Sequence, residues 1–72
     1  MNITINANYF DINEKELAVA RCIAEGMNFI ESAKVLGISW HTVKDRIRRV
    51  VKKTNTRNRT HAIAVLTRYN II

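Results

Sequence analysis

Apolar and polar positions alternate along this chain with the period of a helix, and four segments carry the pattern. The clearest runs from Trp40 to Lys53 or Thr54. Successive residues set at about 100° place Val43, Ile47, Val50 and Thr54 on one face, and His41, Lys44, Asp45, Arg48, Arg49 and Lys52 on the opposite side. Ser39 before it is a good N-cap, since its hydroxyl can accept from the free N–H groups of the first turn. Ile38 and Val43 fit a hydrophobic staple across that start. Upstream, Glu31 to Leu36 is a short amphipathic stretch closed by Gly37, and only Gly37-Ile38-Ser39 joins it to the next segment. A small-residue helix, a glycine turn and a second helix at this spacing predict a helix-turn-helix.

The other segments follow the same rules. Asn13 and Glu16 predict a capping box at the head of a first helix, with Ile12 and Leu17 as its staple. Val19, Ala20, Ile23 and Ala24 form its apolar stripe, and Gly26 stands where a left-handed C-cap is wanted. Asn28 and Glu31 predict a second box, opening the helix that runs to about Leu36. Asn55 to Asn58 reads as a turn, and Asn58 caps a last helix from Arg59 to about Tyr69. That helix carries Ala62, Val65, Leu66 and Tyr69 on one side, with Ile63 displaced from it and Thr67 one turn on. The expected fold is all-α: a compact four-helix bundle containing a helix-turn-helix, spanning residues 12–72. Residues 1–11 are expected to be an N-terminal arm, extended or frayed and free to flex, with Tyr9 and Phe10 tucked against the first helix. The arm has no Lys or Arg, so it lacks what a minor-groove arm depends on.

Composition narrows the function. A chain of 72 residues with no proline and 47% hydrophobic residues is one compact domain near the small end for independent folding. The net charge of +6 and pI near 10.1 call for an anionic partner. The charge is also localised. Residues 1–39 carry three basic against five acidic side chains, and residues 40–59 eight against one, so the positive field comes from a single block, as nucleic-acid binding requires. A basic helix face by itself is commonly a solvated surface, and Asp45 is within reach of Arg48 or Arg49 along the helix. The helix-turn-helix in front of it tips the balance towards DNA.

Catalysis finds no support: there is no nucleophile elbow or glycine-rich phosphate loop, and neither His41 nor His61 has partners at ligand spacing. No enzyme activity, cofactor or metal is expected. Cys22, the single cysteine, excludes an intrachain disulfide and reads as a small core or boundary residue. No apolar run approaches the ~18 residues of a membrane span, and no signal peptide is evident, so a cytoplasmic protein with no membrane partner is expected.

Taken together, these residues resemble the LuxR/GerE-type helix-turn-helix domain from Ile12 to about Leu66. Ile12-Asn13-Glu14-Lys15-Glu16 stands for the family's Leu-Thr-x-Arg-Glu. Ala24-Glu25-Gly26 stands for its Ala-x-Gly, Glu31-Ser32-Ala33 for Glu-Ile-Ala, and Leu36-Gly37-Ile38-Ser39 for Leu-Gly-Ile-Ser. Thr42-Val43-Lys44 is the intact signature, and Arg57-Asn58-Arg59 with Ala62 close the match. The departures are Arg46 in place of a histidine, Ser32 in place of a core isoleucine and Thr54 in place of a leucine. The resemblance implies a tetrahelical DNA-binding transcription regulator of bacterial or phage origin, similar to the stand-alone GerE type, paired through its fourth helix on a two-fold-related site. It implies that Lys44, Asp45 and Arg48 reach base edges and that Thr42 holds phosphate.

Chemistry supports the same division. Lys44 and Arg48 can donate to guanine O6 and N7, and Asp45 can accept from a cytosine amino group. His41, Thr42, Arg46, Arg49, Lys52, Lys53, Arg57 and Arg59 make up the expected phosphate-contacting set, the cations among them supplying affinity without sequence information. Trp40, on the flank of the apolar face, is ambiguous between partial packing and a DNA contact, and partial packing is the expectation. Ile63 and Thr67 are the expected homodimer contacts. A different class of function is an interaction module that pairs with another LuxR-type regulator through the last helix and blocks it; a third is a sigma region-4-like factor associated with RNA polymerase.

Overall fold

The computed structural model describes residues 5–72. Four α-helices follow a short 3-10 turn at Ala7–Phe10: α1 Glu14–Ala24, α2 Phe29–Leu36, α3 Trp40–Lys53 and α4 Arg59–Arg68. Each begins where a side chain can satisfy the free N–H groups of a first turn. Asn13 Oδ1 accepts from Glu16 N–H at 2.8 Å while Glu16 Oε1 accepts from Asn13 N–H at 3.0 Å. The Asn28/Glu31 box repeats this geometry. Ser39 Oγ accepts from Thr42 N–H at 3.1 Å, and Asn58 Oδ1 from His61 N–H at 2.8 Å.

The ends are equally local. Gly26, Gly37, Asn55 and Asn70 adopt positive φ one or two residues past the four helices. The following N–H groups then return to carbonyls inside the helix, at Met27→Cys22, Ile38→Ala33, Thr56→Val51 and Ile71→Leu66. At Gly37, φ is +67°, a conformation that costs a β-carbon-bearing residue and that makes the three-residue link to α3 possible.

α3 is the central element and packs against each of the other three helices. Val43 and Val50 are fully buried and Ile47 nearly so, facing Leu17, Val19 and Ala20 of α1, Ala33 of α2, and Ala62 and Leu66 of α4 in one core. The two polar departures in this core are absorbed by the backbone. Ser32 Oγ donates to Asn28 O at 2.8 Å, and Thr54 Oγ1 donates to Val50 O at 2.8 Å. No buried side-chain nitrogen or oxygen among the described residues lacks a partner.

The structure corrects several expectations. Ala24, the last residue of α1, is exposed, and Cys22 takes the buried position instead. On α4 the core side is Ala62 and Leu66. Ile63 is half-buried and packs against the core, whereas Val65 is only half-buried and Tyr69, the C-cap, is 44% exposed. Ile63 therefore does not lie outside the core as expected, because α4 is rolled so that its Ile63 edge meets the bundle. Ile71 and Ile72 fold back onto the core after the reversal at Asn70.

At the other end, Ala7–Phe10 is neither extended nor frayed. Asn6 Oδ1 accepts from Asn8 N–H at 2.9 Å and Asp11 closes the turn at positive φ. Phe10 packs on the core and lies 6.2 Å from the Tyr69 ring, while Tyr9 stays exposed. The remainder of the expected arm, residues 1–4, lies outside the described residues.

Candidate nucleic-acid interface

The α2–turn–α3 unit leaves one side of α3 open. His41, Asp45, Arg48, Arg49 and Lys52 are exposed there, and Lys44 is half-buried at the edge. Asp45 forms no salt bridge with Arg48 or Arg49; among the described residues the one ion pair within 4 Å is Lys53–Glu16. The cations of this face are therefore not neutralised along the helix, and Asp45 is left free to accept from a ligand.

The candidate phosphate contacts are more dispersed. Thr42 is half-buried and shares its hydroxyl with Ser39 at 2.9 Å. Arg46 is half-buried and lines a shallow hollow with Lys15, Ala18, Leu36 and Ile38, on the α1 side of the helix. Arg57 and Arg59 are exposed at the head of α4. The Arg57 N–H donates to His61 Nδ1 at 3.2 Å, and the Arg59 guanidinium lies 4.9 Å above the Phe29 ring, a cation–π contact that limits where it can reach. Thr67 is exposed on α4.

Lys53 departs from its expected place. Its Nζ donates to both carboxylate oxygens of Glu16, at 2.7 and 3.0 Å, so the ammonium expected on a phosphate is engaged in a tie between α3 and the first turn of α1. Glu16 is 1% exposed. Burial alone would raise its pKa, but the hydrogen bonds from Lys53 and Asn13 N–H, with the charges of Lys53 and Arg49, outweigh burial and hold it below the ordinary value of 4.5. The sequence signals only half of this pair: a carboxylate one turn before the buried Val19 and Ala20 is rarely buried without a partner, but nothing near it in the chain singles out Lys53.

A further feature escapes a helical wheel. Trp40 is 44% exposed and stacks on His41, with ring centroids 3.8 Å apart and planes at 25°. Neighbouring residues point about 100° apart on a helix, so a wheel separates these two; only side-chain geometry in the first turn of α3 brings them together.

Residues 12–66 match the family model described as bacterial regulatory proteins, luxR family. No curated protein and no solved structure matches the chain.

Proposed function

The chain belongs to the LuxR family of bacterial regulatory proteins, a family of DNA-binding transcription regulators, and on that premise we propose that it binds specific sites in double-stranded DNA as a homodimer, with α3 in the major groove. The observation that carries this reading is the division of α3 into a buried arc, Val43, Ile47 and Val50, and an open arc whose arginines and Lys52 have no acidic partner within the described chain. On this reading Lys44, Asp45 and Arg48 meet base edges. His41, Thr42, Arg46, Arg49, Lys52, Arg57 and Arg59 meet the phosphate backbone; Lys53 is withdrawn from that set by Glu16.

Pairing is assigned to the outward side of α4. Ala64 and Thr67 are exposed there and small enough for two helices to approach closely, with Ile63 at the margin. A dimer spans two half-sites about one helical turn apart and gains affinity that a single reading helix lacks.

The test is binding of the full chain to random-sequence duplexes followed by selection of preferred sites, repeated across salt concentrations. With about four to six phosphates engaged per protomer, log K falls with log salt at a slope near −0.9 per contact. Salt-insensitive binding, or none in dilute salt, sinks the reading and leaves the interaction-module alternative. Sedimentation of wild type and Thr67→Glu, free and on the selected site, tests the dimer: a wild type that stays monomeric in both states rules it out.

A further inference from the structure

Beside the basic face lies a hollow of which the proposed phosphate contacts include only Arg59. It measures about 430 Å³ and opens between the starts of α2, α3 and α4. Ile23, Met27, Phe29 and Ile30 supply its apolar lining, and Asn28, Trp40 and Arg59 complete it. A second hollow, of about 470 Å³, shares Phe29 and Arg59 with the first and is bordered by Lys44 and Arg48. The candidate base-reading side chains thus run without a break, by way of Arg59, to Trp40. Every charged side chain lining the two hollows is cationic.

We propose that the first hollow seats a sugar–phosphate unit of the DNA backbone flanking the half-site, with Trp40 as its wall and Arg59 as its cation. The inference rests on α3 being the DNA-reading helix. A deoxyribose is uncharged and suits the apolar lining, while its phosphate needs the donors that the polar lining residues supply. The indole N–H is a donor with no acceptor capacity, and the guanidinium supplies charge-assisted donors in a planar fork. The stack on His41 keeps the indole in place before DNA arrives, which reduces the ordering cost of binding. An exposed tryptophan beside Ile30, itself 59% exposed, also gains from being covered. Trp40 is thereby a binding residue of the backbone kind: it adds affinity on every sequence and reads none.

Because Trp40 is the single tryptophan, its emission reports on the surroundings of that one side chain, while anisotropy of a labelled duplex reports on DNA binding as a whole. The expected result is a change in wild-type emission that tracks the anisotropy. Trp40→Ala weakens binding about tenfold, roughly 1.4 kcal/mol, on preferred and random duplexes alike. It leaves the salt slope unchanged, because a neutral donor displaces no counterion. Trp40→Phe, which keeps an aromatic ring and loses the N–H, falls between. Ile30→Asp places a carboxylate in the hollow at an exposed position of the first turn of α2, where the helix tolerates acid; it weakens binding with helical content intact, and keeps the proposal testable if Trp40→Ala unfolds. Duplex binding with unchanged emission, and with Trp40→Phe and Ile30→Asp both within twofold of wild type, overturns the seat while leaving α3 as the DNA helix. Absence of any duplex binding by wild type overturns both.

Discussion

The two ends of α3 are held in opposite ways. At its C-terminal end the polar groups are tied to the protein: Lys53 is bound to Glu16 across to α1, and the Thr54 hydroxyl is shared among Val50 O, Val51 O and the Thr56 hydroxyl. At its N-terminal end only Ser39 and Thr42 are joined, and Trp40 and His41 lie stacked and open to solvent. One end anchors the helix to the bundle and the other presents it. The contrast is sharpest between two neighbours: Lys52 is exposed, while Lys53, one residue on, points 100° around the helix and is committed to a buried carboxylate. The count of basic residues in a segment therefore overstates what it offers a ligand.

The largest effect is expected from breaking the anchored end. Lys53→Ala strands the Glu16 carboxylate in the core and is expected to cost about 2–3 kcal/mol in chemical denaturation, towards the low side for a buried pair because the lysine is partly exposed. Lys52→Ala is expected to leave stability within about 0.5 kcal/mol, lower DNA affinity on all sequences and reduce the salt slope by roughly one contact. Equal destabilisation by the two substitutions would erase the distinction between them.

Next in size is the reading face. Lys44→Ala or Arg48→Ala is expected to cost roughly 1–3 kcal/mol on the preferred site and to relax its sequence preference; site selection repeated with each variant measures this. A changed preference with Lys52→Ala and an unchanged one with Arg48→Ala would reverse the assignment. At the presented end, Ser39→Ala removes the cap of α3 at about 1 kcal/mol, read as a lower denaturation midpoint, with Thr42 losing its hydroxyl partner at the same time.

The smallest expected effect sharpens the anchor. Glu16 has a depressed pKa in the folded state, so its contribution is complete above the ordinary glutamate value of 4.5 and is lost as pH falls through the lower folded value. Glu16→Gln can still accept from Asn13 N–H and from Lys53, so it costs less than Lys53→Ala. It should flatten the acid limb of a stability–pH curve measured by denaturation. An unchanged acid limb would show that Glu16 does not govern it.

Most of the helix starts were legible because the cap and its acceptor lie within three residues: Asn13, Asn28, Ser39 and Asn58 each announce a helix that the structure contains. The buried arc of α3 was legible because its period is unbroken. What was not legible depends on relations between distant elements. The roll of α4 brings Ile63 to the core and leaves Tyr69 out, which no wheel of α4 alone decides when apolar residues cover so much of its circumference. The bond from Lys53 to Glu16 joins residues 37 positions apart. Asn55 and Asn70 end their helices at positive φ as Gly26 and Gly37 do, but asparagine also caps starts, so its meaning was ambiguous until the flanking helix was in place. For the proposed DNA face, the sequence marked His41, Asp45, Arg48, Arg49 and Lys52 as exposed, while the half-burial of Lys44, the Trp40–His41 stack and the hollow beside it needed the helices to be assembled.

The pairing of a start signal and a stop signal at every helix bears on how quickly the chain finds its structure. Asparagine or serine opens each of the four α-helices and a left-handed residue follows each, with every such bond closing within five residues. Helix boundaries can therefore be set by each segment alone, before distant parts of the chain meet. Chains dominated by such near-neighbour contacts fold on the microsecond to millisecond scale. Slower steps are then those that close long loops, foremost the docking of α1 against α3, the most extensive contact between helices that are not neighbours in the chain. Substitutions at the caps should slow folding only slightly, whereas those in Val19, Val43 or Val50, where α1 and α3 share the core, should reveal by their folding rates whether that docking forms the nucleus.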